Sequence, residues 1–168
     1  MGALRSLTGC KTLLGSESES NCVDVLLKDK STINLGNISV IALHTPGHTK
    51  DSYSFYVRDA LHGYVLTGDT LLIRGSGRTD FQNGDTKEQY SSILTQLFSL
   101  PDETIVLPGH DYRGWNRSTI AEEKAHNPRL QVKNAIEYEE LMKNLNFANP
   151  KLMDIAIPIN QNCGKKIN

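Results

Sequence analysis

The stretch VLTGDTLLIRGSGRTDF, residues 65–81, decides how this chain is read. Its first half is apolar and β-prone and halts at Gly68-Asp69, so a strand delivers a carboxylate to the rim of a sheet. Its second half is a glycine-rich loop carrying Arg74, Arg78 and Asp80. A glycine beside a strand end lets the backbone turn sharply there. The arrangement recurs on either side: HTPGHT puts His48 next to Gly47, and TIVLPGHD puts His110 and Asp111 after Gly109. One such His or Asp ordinarily serves a turn. Three strand ends with the same feature point to convergence, and imidazoles meeting a carboxylate make a site for zinc or non-haem iron. His62 and His126 read as surface residues, and His44 as structural or as a support for a ligand.

Working outward, TINLGNISVIAL reads as two strands joined at Gly36-Asn37. SYSFYV alternates, with Tyr53, Phe55 and Val57 on one side of a half-buried strand. TIVLPGH is continuously apolar before its glycine, which predicts a strand covered on both faces. Helices follow. Thr86 with Gln89 forms a capping-box pattern, with Tyr90, Ile93, Leu94 and Leu97 on one face as far as Leu100-Pro101. Thr119 with Glu122 caps a short helix that stops at Asn127-Pro128, and Asn134 with Glu137 is a looser cap ahead of Tyr138, Leu141, Met142 and Leu145. Beyond Pro150 an extended tail is expected, and Ser16 to Asn21 reads as a polar loop. The class is α/β or α+β, with strands early and helices late.

Composition narrows the functions. Lys plus Arg number 18 against 19 Asp plus Glu in 168 residues, so no basic excess argues for nucleic acid or an anionic membrane. The apolar runs are too short to span a bilayer, and the N-terminus shows no signal-peptide core. Met1-Gly2 with Ser6 fits the myristoylation pattern only loosely. Cys10, Cys22 and Cys163 are odd in number and lack CxxC spacing, which suits a reducing compartment and gives neither a disulfide framework nor a zinc knuckle.

TPGHT, then TGD, then GHD, in that order, resembles the second half of the metallo-β-lactamase superfamily. Within it, GDTLLIRGSGRTDFQNG, PGHDYRGW and EEKAHNPRL together resemble the persulfide dioxygenases, from near Gly2 to the C-terminus. The glyoxalase II branch, whose members hydrolyse thioesters, usually carries a different loop after TGD and GHEYT at the later histidine. Ser76 departs from relatives that often place a cysteine there.

The resemblance implies an αβ/βα sandwich, represented mainly by its C-terminal half, in a single domain over residues 1–168. It implies one Fe(II) held by two histidines and one aspartate, with His48 and Asp69 matching two of those ligands and zinc as the alternative metal. No catalytic residue is expected beyond the ligands. His110 and Asp111 are expected to support them, because the dioxygenase branch keeps a single iron, and Asp80 is expected to orient an arginine or a ligand histidine. The implied partners are O2 and glutathione persulfide, oxidised to sulfite and glutathione in sulfide detoxification. Arg78, Arg129 and Tyr112 match positions expected near the tripeptide, whose carboxylates suit guanidinium groups. Arg74 is ambiguous between substrate and loop. Relatives occur in mitochondria and in bacterial cytoplasm.

One signature is absent. The superfamily carries H-x-H-x-D-H in its first half, and the five histidines here include no H-x-H. GALRSLTGC resembles the segment that directly follows that signature, so an N-terminal truncation is expected, with the third iron ligand left out. The consequences expected are weak iron binding, little sulfite production, and a partly uncovered sheet prone to association, a homodimer included. His44 is a poor substitute, since on an extended strand it lies more than about 10 Å from His48. Two rivals remain: a glyoxalase II-like thioester hydrolase, and a non-catalytic fragment used for dimerisation or partner binding.

Overall fold

The computed structural model describes residues 2–20, 23–59, 61–81, 83–145, 153–161 and 164, and the chain divides into two compact units. Residues 28–146 form the larger. It holds strands β3 (Thr32–Leu35), β4 (Ile38–His44), β5 (Tyr53–Arg58), β6 (Gly63–Gly68), β9 (Ile105–Pro108) and β10 (Ser118–Thr119) in one sheet, ordered β10-β9-β6-β5-β4-β3. A hairpin of β7 (Leu71–Leu72) and β8 (Gly75–Ser76) follows β6. Helices α2 (Thr86–Ser92), α3 (Ile120–His126) and α4 (Ala135–Lys143) complete the unit.

The β3–β4 turn falls where the sequence puts it, with Gly36 at φ 63°. Most of the sheet is antiparallel, but β6 and β9 run parallel, Val65 beside Val106. Those two valines, with Leu71, Ile93, Leu97 and Ile120, form a fully buried core cluster. Each contributes roughly 1.5–3 kcal/mol of burial free energy.

Several elements differ from the reading above. The core side of β5 carries Ser54 and Tyr56, while Tyr53, Phe55 and Val57 are only half-buried. On β9 only Val106 is buried, so the strand is covered on one face. Leu35, Ile38 and Leu66 share the other sheet face and are exposed, beside half-buried Phe55, Tyr64 and Leu107. Helix α2 is capped by Asp85, whose carboxylate accepts from the Lys87 and Glu88 backbone N–H groups, not by Thr86. A π-helical turn, Ile93–Leu97, extends α2 and leaves Leu94 exposed while Ile93 and Leu97 are buried. The α3 capping box forms as expected. Asn134 caps α4, and Glu137 accepts from Lys133 N instead of closing a box.

The smaller unit comprises residues 1–27 and 147–168. It holds helix α1 (Gly2–Thr8), the parallel pair β1 (Leu13–Gly15) and β2 (Val25–Leu27), and helix α5 (Met153–Gln161). Asp24 ties the pair together: its carboxylate accepts from Thr12 N and Oγ1, both at 2.8 Å, and meets Arg5 at 2.8 Å. These Thr12 bonds, with Arg5 adding to them, hold the Asp24 carboxyl below its ordinary range. The expected extended tail is thus helical over α5, where the apolar run Ile155-Ala156-Ile157 sustains a helix despite Pro158. Cys10 is a free, exposed thiol. Met1, Asn21, Cys22, Pro150 and Cys163 lie outside the described residues.

Candidate metal site

Strand polarity brings the three motifs together. β5 is antiparallel to both β4 and β6, and β9 is parallel to β6, so β4, β6 and β9 all end at the same rim of the sheet. Asp69 follows β6 directly. His110 lies two residues beyond β9, and His48 sits four residues beyond β4 in the connecting loop, not on the strand end itself. Gly68 turns at φ 51° and its carbonyl accepts from Gly109 N at 2.7 Å, fastening the β6 and β9 ends together. A side chain on Gly109 would approach Asp69 Oδ1 at 3.2 Å, so the position favours glycine.

His48 Nδ1 lies 2.7 Å from the Arg78 carbonyl. A carbonyl can only accept, so Nδ1 carries a proton, and in the neutral imidazole Nε2 then keeps the lone pair. That lone-pair nitrogen is 3.6 Å from Asp69 Oδ2, a gap spanned by one ion about 2.0–2.2 Å from each atom. Asp69 Oδ1 meets His110 Nδ1 at 2.6 Å. The carboxylate therefore offers one oxygen toward His48 and gives the other to a supporting imidazole. Imidazole nitrogen and carboxylate oxygen are donor types that suit Fe(II) or Zn(II). Among the described residues no group of three or more His, Cys, Asp or Glu is gathered closely enough to hold a metal.

The other candidates fall into place around this pair. Asp111 accepts from the backbone N–H groups of Arg113, Gly114 and Trp115 and so shapes its own loop, without touching His48 or Asp69 through those bonds. Tyr112 is 80% exposed and stacks on His110, ring centroids 6.1 Å apart. Arg78 donates to Asp80 with Nε and one terminal nitrogen, both at 2.6 Å, and lies over the Phe81 ring at 4.1 Å. This paired bond raises the Arg78 pKa and holds Asp80 below the usual carboxylate range.

Arg129 is drawn inward. It donates to the Ser76 carbonyl and, at 3.3 Å, to Ser76 Oγ, and burial lowers its pKa. Arg74 resolves as a brace: with φ 55°, it pairs through its side chain and its backbone N–H with the fully buried Glu123, which also accepts from Ser118 Oγ at 2.6 Å and Asn127 Nδ2 at 2.8 Å. His44 serves structure, its Nε2 3.0 Å from the Lys50 carbonyl and its ring 5.0 Å from Tyr53. His62 and His126 are exposed.

Sequence reasoning missed Gln89 and Tyr138 as contacts of the glycine loop. Both are fully buried; Gln89 Nε2 donates to the Gly77 carbonyl at 3.1 Å, and the Tyr138 hydroxyl is 2.7 Å from Ser76 Oγ. Ser76, where relatives often place a cysteine, thus holds a buried hydroxyl pair.

Strand ends running the same way bring His48 and Asp69 together at one rim, and the chain belongs to the metallo-beta-lactamase superfamily, whose sequence model matches residues 17–110. Within that superfamily its likeness runs to persulfide dioxygenases. It is 40% identical, over 164 residues, to the mitochondrial persulfide dioxygenase ETHE1 of Homo sapiens, covering 97% of this chain and 63% of that protein. The crystal structure of ETHE1 from Myxococcus xanthus aligns with a TM-score of 0.92 at 45% identity, over 98% of this chain and 71% of the other. A probable hydroxyacylglutathione hydrolase of Schizosaccharomyces pombe is 34% identical, covering 82% of this chain and 62% of that protein. The chain therefore spans less than two-thirds of the length of these curated relatives. Among the described residues no helix is long and apolar enough to cross a membrane.

Proposed function

We propose that this chain belongs to an iron-dependent dioxygenase that oxidises glutathione persulfide. One persulfide, one O2 and one water give glutathione, sulfite and two protons. The observation carrying this reading is the 40% identity to a persulfide dioxygenase across 97% of the chain. The His48–Asp69 geometry supports it, since both side chains suit a single Fe(II), with zinc the alternative. Bound iron would supply the redox chemistry, activating O2 beside the persulfide.

The chain's own residues hold and orient. The Arg78 carbonyl keeps His48 in the tautomer with Nε2 free. His110 occupies Asp69 Oδ1 and leaves Oδ2 for the metal. Tyr112, exposed beside His110, offers its hydroxyl to the tripeptide. Arg78 meets a glutathione carboxylate by exchanging it for Asp80, while Arg129 serves substrate indirectly by holding the Ser76 carbonyl. The compartment that goes with this reading is the mitochondrial matrix or the bacterial cytoplasm, and self-association through the uncovered sheet face belongs to it too.

The resemblance to a probable hydroxyacylglutathione hydrolase favours a second reading, a metal-dependent thioester hydrolase. Assaying the Fe(II)-loaded chain separates the two. The dioxygenase reading predicts O2 uptake matched by sulfite with glutathione persulfide, and no cleavage of S-lactoylglutathione. Thioester hydrolysis without O2 uptake would reverse the assignment.

A further inference from the structure

The glycine loop that flanks the site is held by side chains the proposed chemistry does not touch. Gln89, within α2, donates from Nε2 to the Gly77 carbonyl at 3.1 Å, and its Oε1 accepts from the Tyr138 hydroxyl at 2.8 Å. Because that hydroxyl gives its proton to Gln89, Ser76 Oγ, 2.7 Å away, donates to Tyr138 in turn. Gln89 and Tyr138 are 0% exposed, so a broken link would leave a polar group buried and unpaired.

The same helix grips the other loop of the site. Ser92 Oγ donates to the Pro46 carbonyl at 2.8 Å, and Asp85 N donates to the Gly47 carbonyl at 2.9 Å. A Cβ on Gly47 would lie 2.3 Å from Gln89 Cα, so the loop presses directly on the helix backbone. Gly77 is wedged on the far side. A Cβ there would come within 2.0 Å of the Asp69 carbonyl oxygen and 2.9 Å of His48 Nδ1. The next residue, Arg78, supplies the carbonyl that accepts from His48 Nδ1 at 2.7 Å.

We infer that Gln89 and Tyr138 are positioning residues: by holding the Gly77 carbonyl they fix the Arg78 carbonyl, and through it the direction in which His48 Nε2 faces Asp69. The inference rests on reading His48 as a metal ligand. Helix α2 acts as a clamp that registers the His48 loop and the glycine loop against each other. Without the Gln89 donor, the Gly77–Arg78 segment loses its tether from the helix side, and the His48 ring loses a fixed acceptor.

Imidazole NMR of the metal-free chain provides the test, with His48 assigned by its absence in His48→Ala. The unaltered chain should show a single His48 tautomer whose Nδ1–H is protected from exchange with water. In Gln89→Leu that resonance should be lost to exchange, and in Tyr138→Phe it should weaken. Ile120→Val, a core truncation away from the relay, should lower stability and leave the signal intact. An unchanged His48 Nδ1–H in folded Gln89→Leu would overturn the proposal, as would equal loss in Ile120→Val. If Gln89→Leu does not fold, Tyr138→Phe decides alone by the same criterion. Failure of the dioxygenase reading would appear elsewhere, as absent persulfide oxidation by the iron-loaded chain, and would leave this result standing.

Discussion

Glu123 shows how far the role of one residue depends on what surrounds it. In the sequence it is one acid in EEKAHNPRL; in the fold it is fully buried and receives Arg74, Ser118 and Asn127 together. Removing it leaves Arg74 with only the more distant carboxylate of Glu122, at 4.0 Å, and deprives the Ser118 and Asn127 donors of this acceptor, so Glu123→Ala should cost up to about 3–5 kcal/mol of stability in urea denaturation. Tyr138 gives a second prediction at this scale. Burial pushes its hydroxyl up to about 12 from an ordinary 10.0. Above pH 10 the unfolded chain gives up this proton while the folded chain keeps it, so stability falls as pH rises from 10 toward 12. The loss attributable to Tyr138 is about 2–3 kcal/mol and should vanish in Tyr138→Phe when the two denaturation curves are compared across that window. His48 and Asp69 were legible because a metal-capable residue beside a glycine after an apolar run carries its own signal. Gln89 was not, since a glutamine three residues after Thr86 satisfies a capping pattern equally well.

At the scale of elements, α2 marks where local rules compete. Two candidate caps stand side by side, Asp85 and Thr86, and the chain uses the first because its carboxylate reaches two backbone N–H groups. Asp85→Ala should therefore cost about 1 kcal/mol, while Thr86→Ala should cost clearly less, as measured by thermal denaturation. The π-helical turn after Ser92 shifts the buried face, which is why Leu94 faces out despite its helical spacing. No residue type announces such a turn. Gly47, at φ 131° and with no room for a Cβ against Gln89, tests the helix–loop contact. Gly47→Ala should destabilise the fold by at least about 1–3 kcal/mol and loosen the His48 loop, seen as faster amide exchange there. The α3 cap was readable in advance because both halves of its box lie within four residues.

Over the whole molecule, the superfamily was legible from the order of three short motifs, and the parallel β6–β9 pair explains how TGD and GHD come to lie side by side at one rim. Sheet coverage was harder to read. An apolar run such as TIVLP suits a strand covered on both faces, yet only Thr104 and Val106, which share a face, are buried, and Leu35, Ile38 and Leu66 remain exposed on the other face. Helix α5 went unread because Pro158 suggests a break that the structure does not show. His48 and Asp69 are proposed to serve one metal ion, and a double-mutant cycle on metal affinity tests this most directly. Anaerobic Fe(II) affinity, measured by chelator competition, would be compared for the unaltered chain, His48→Ala, Asp69→Ala and the pair. If one ion bridges both groups, each single change removes most of the affinity and the double change little more. Affinities that fall by independent factors, or a single variant that binds Fe(II) as the unaltered chain does, would contradict it.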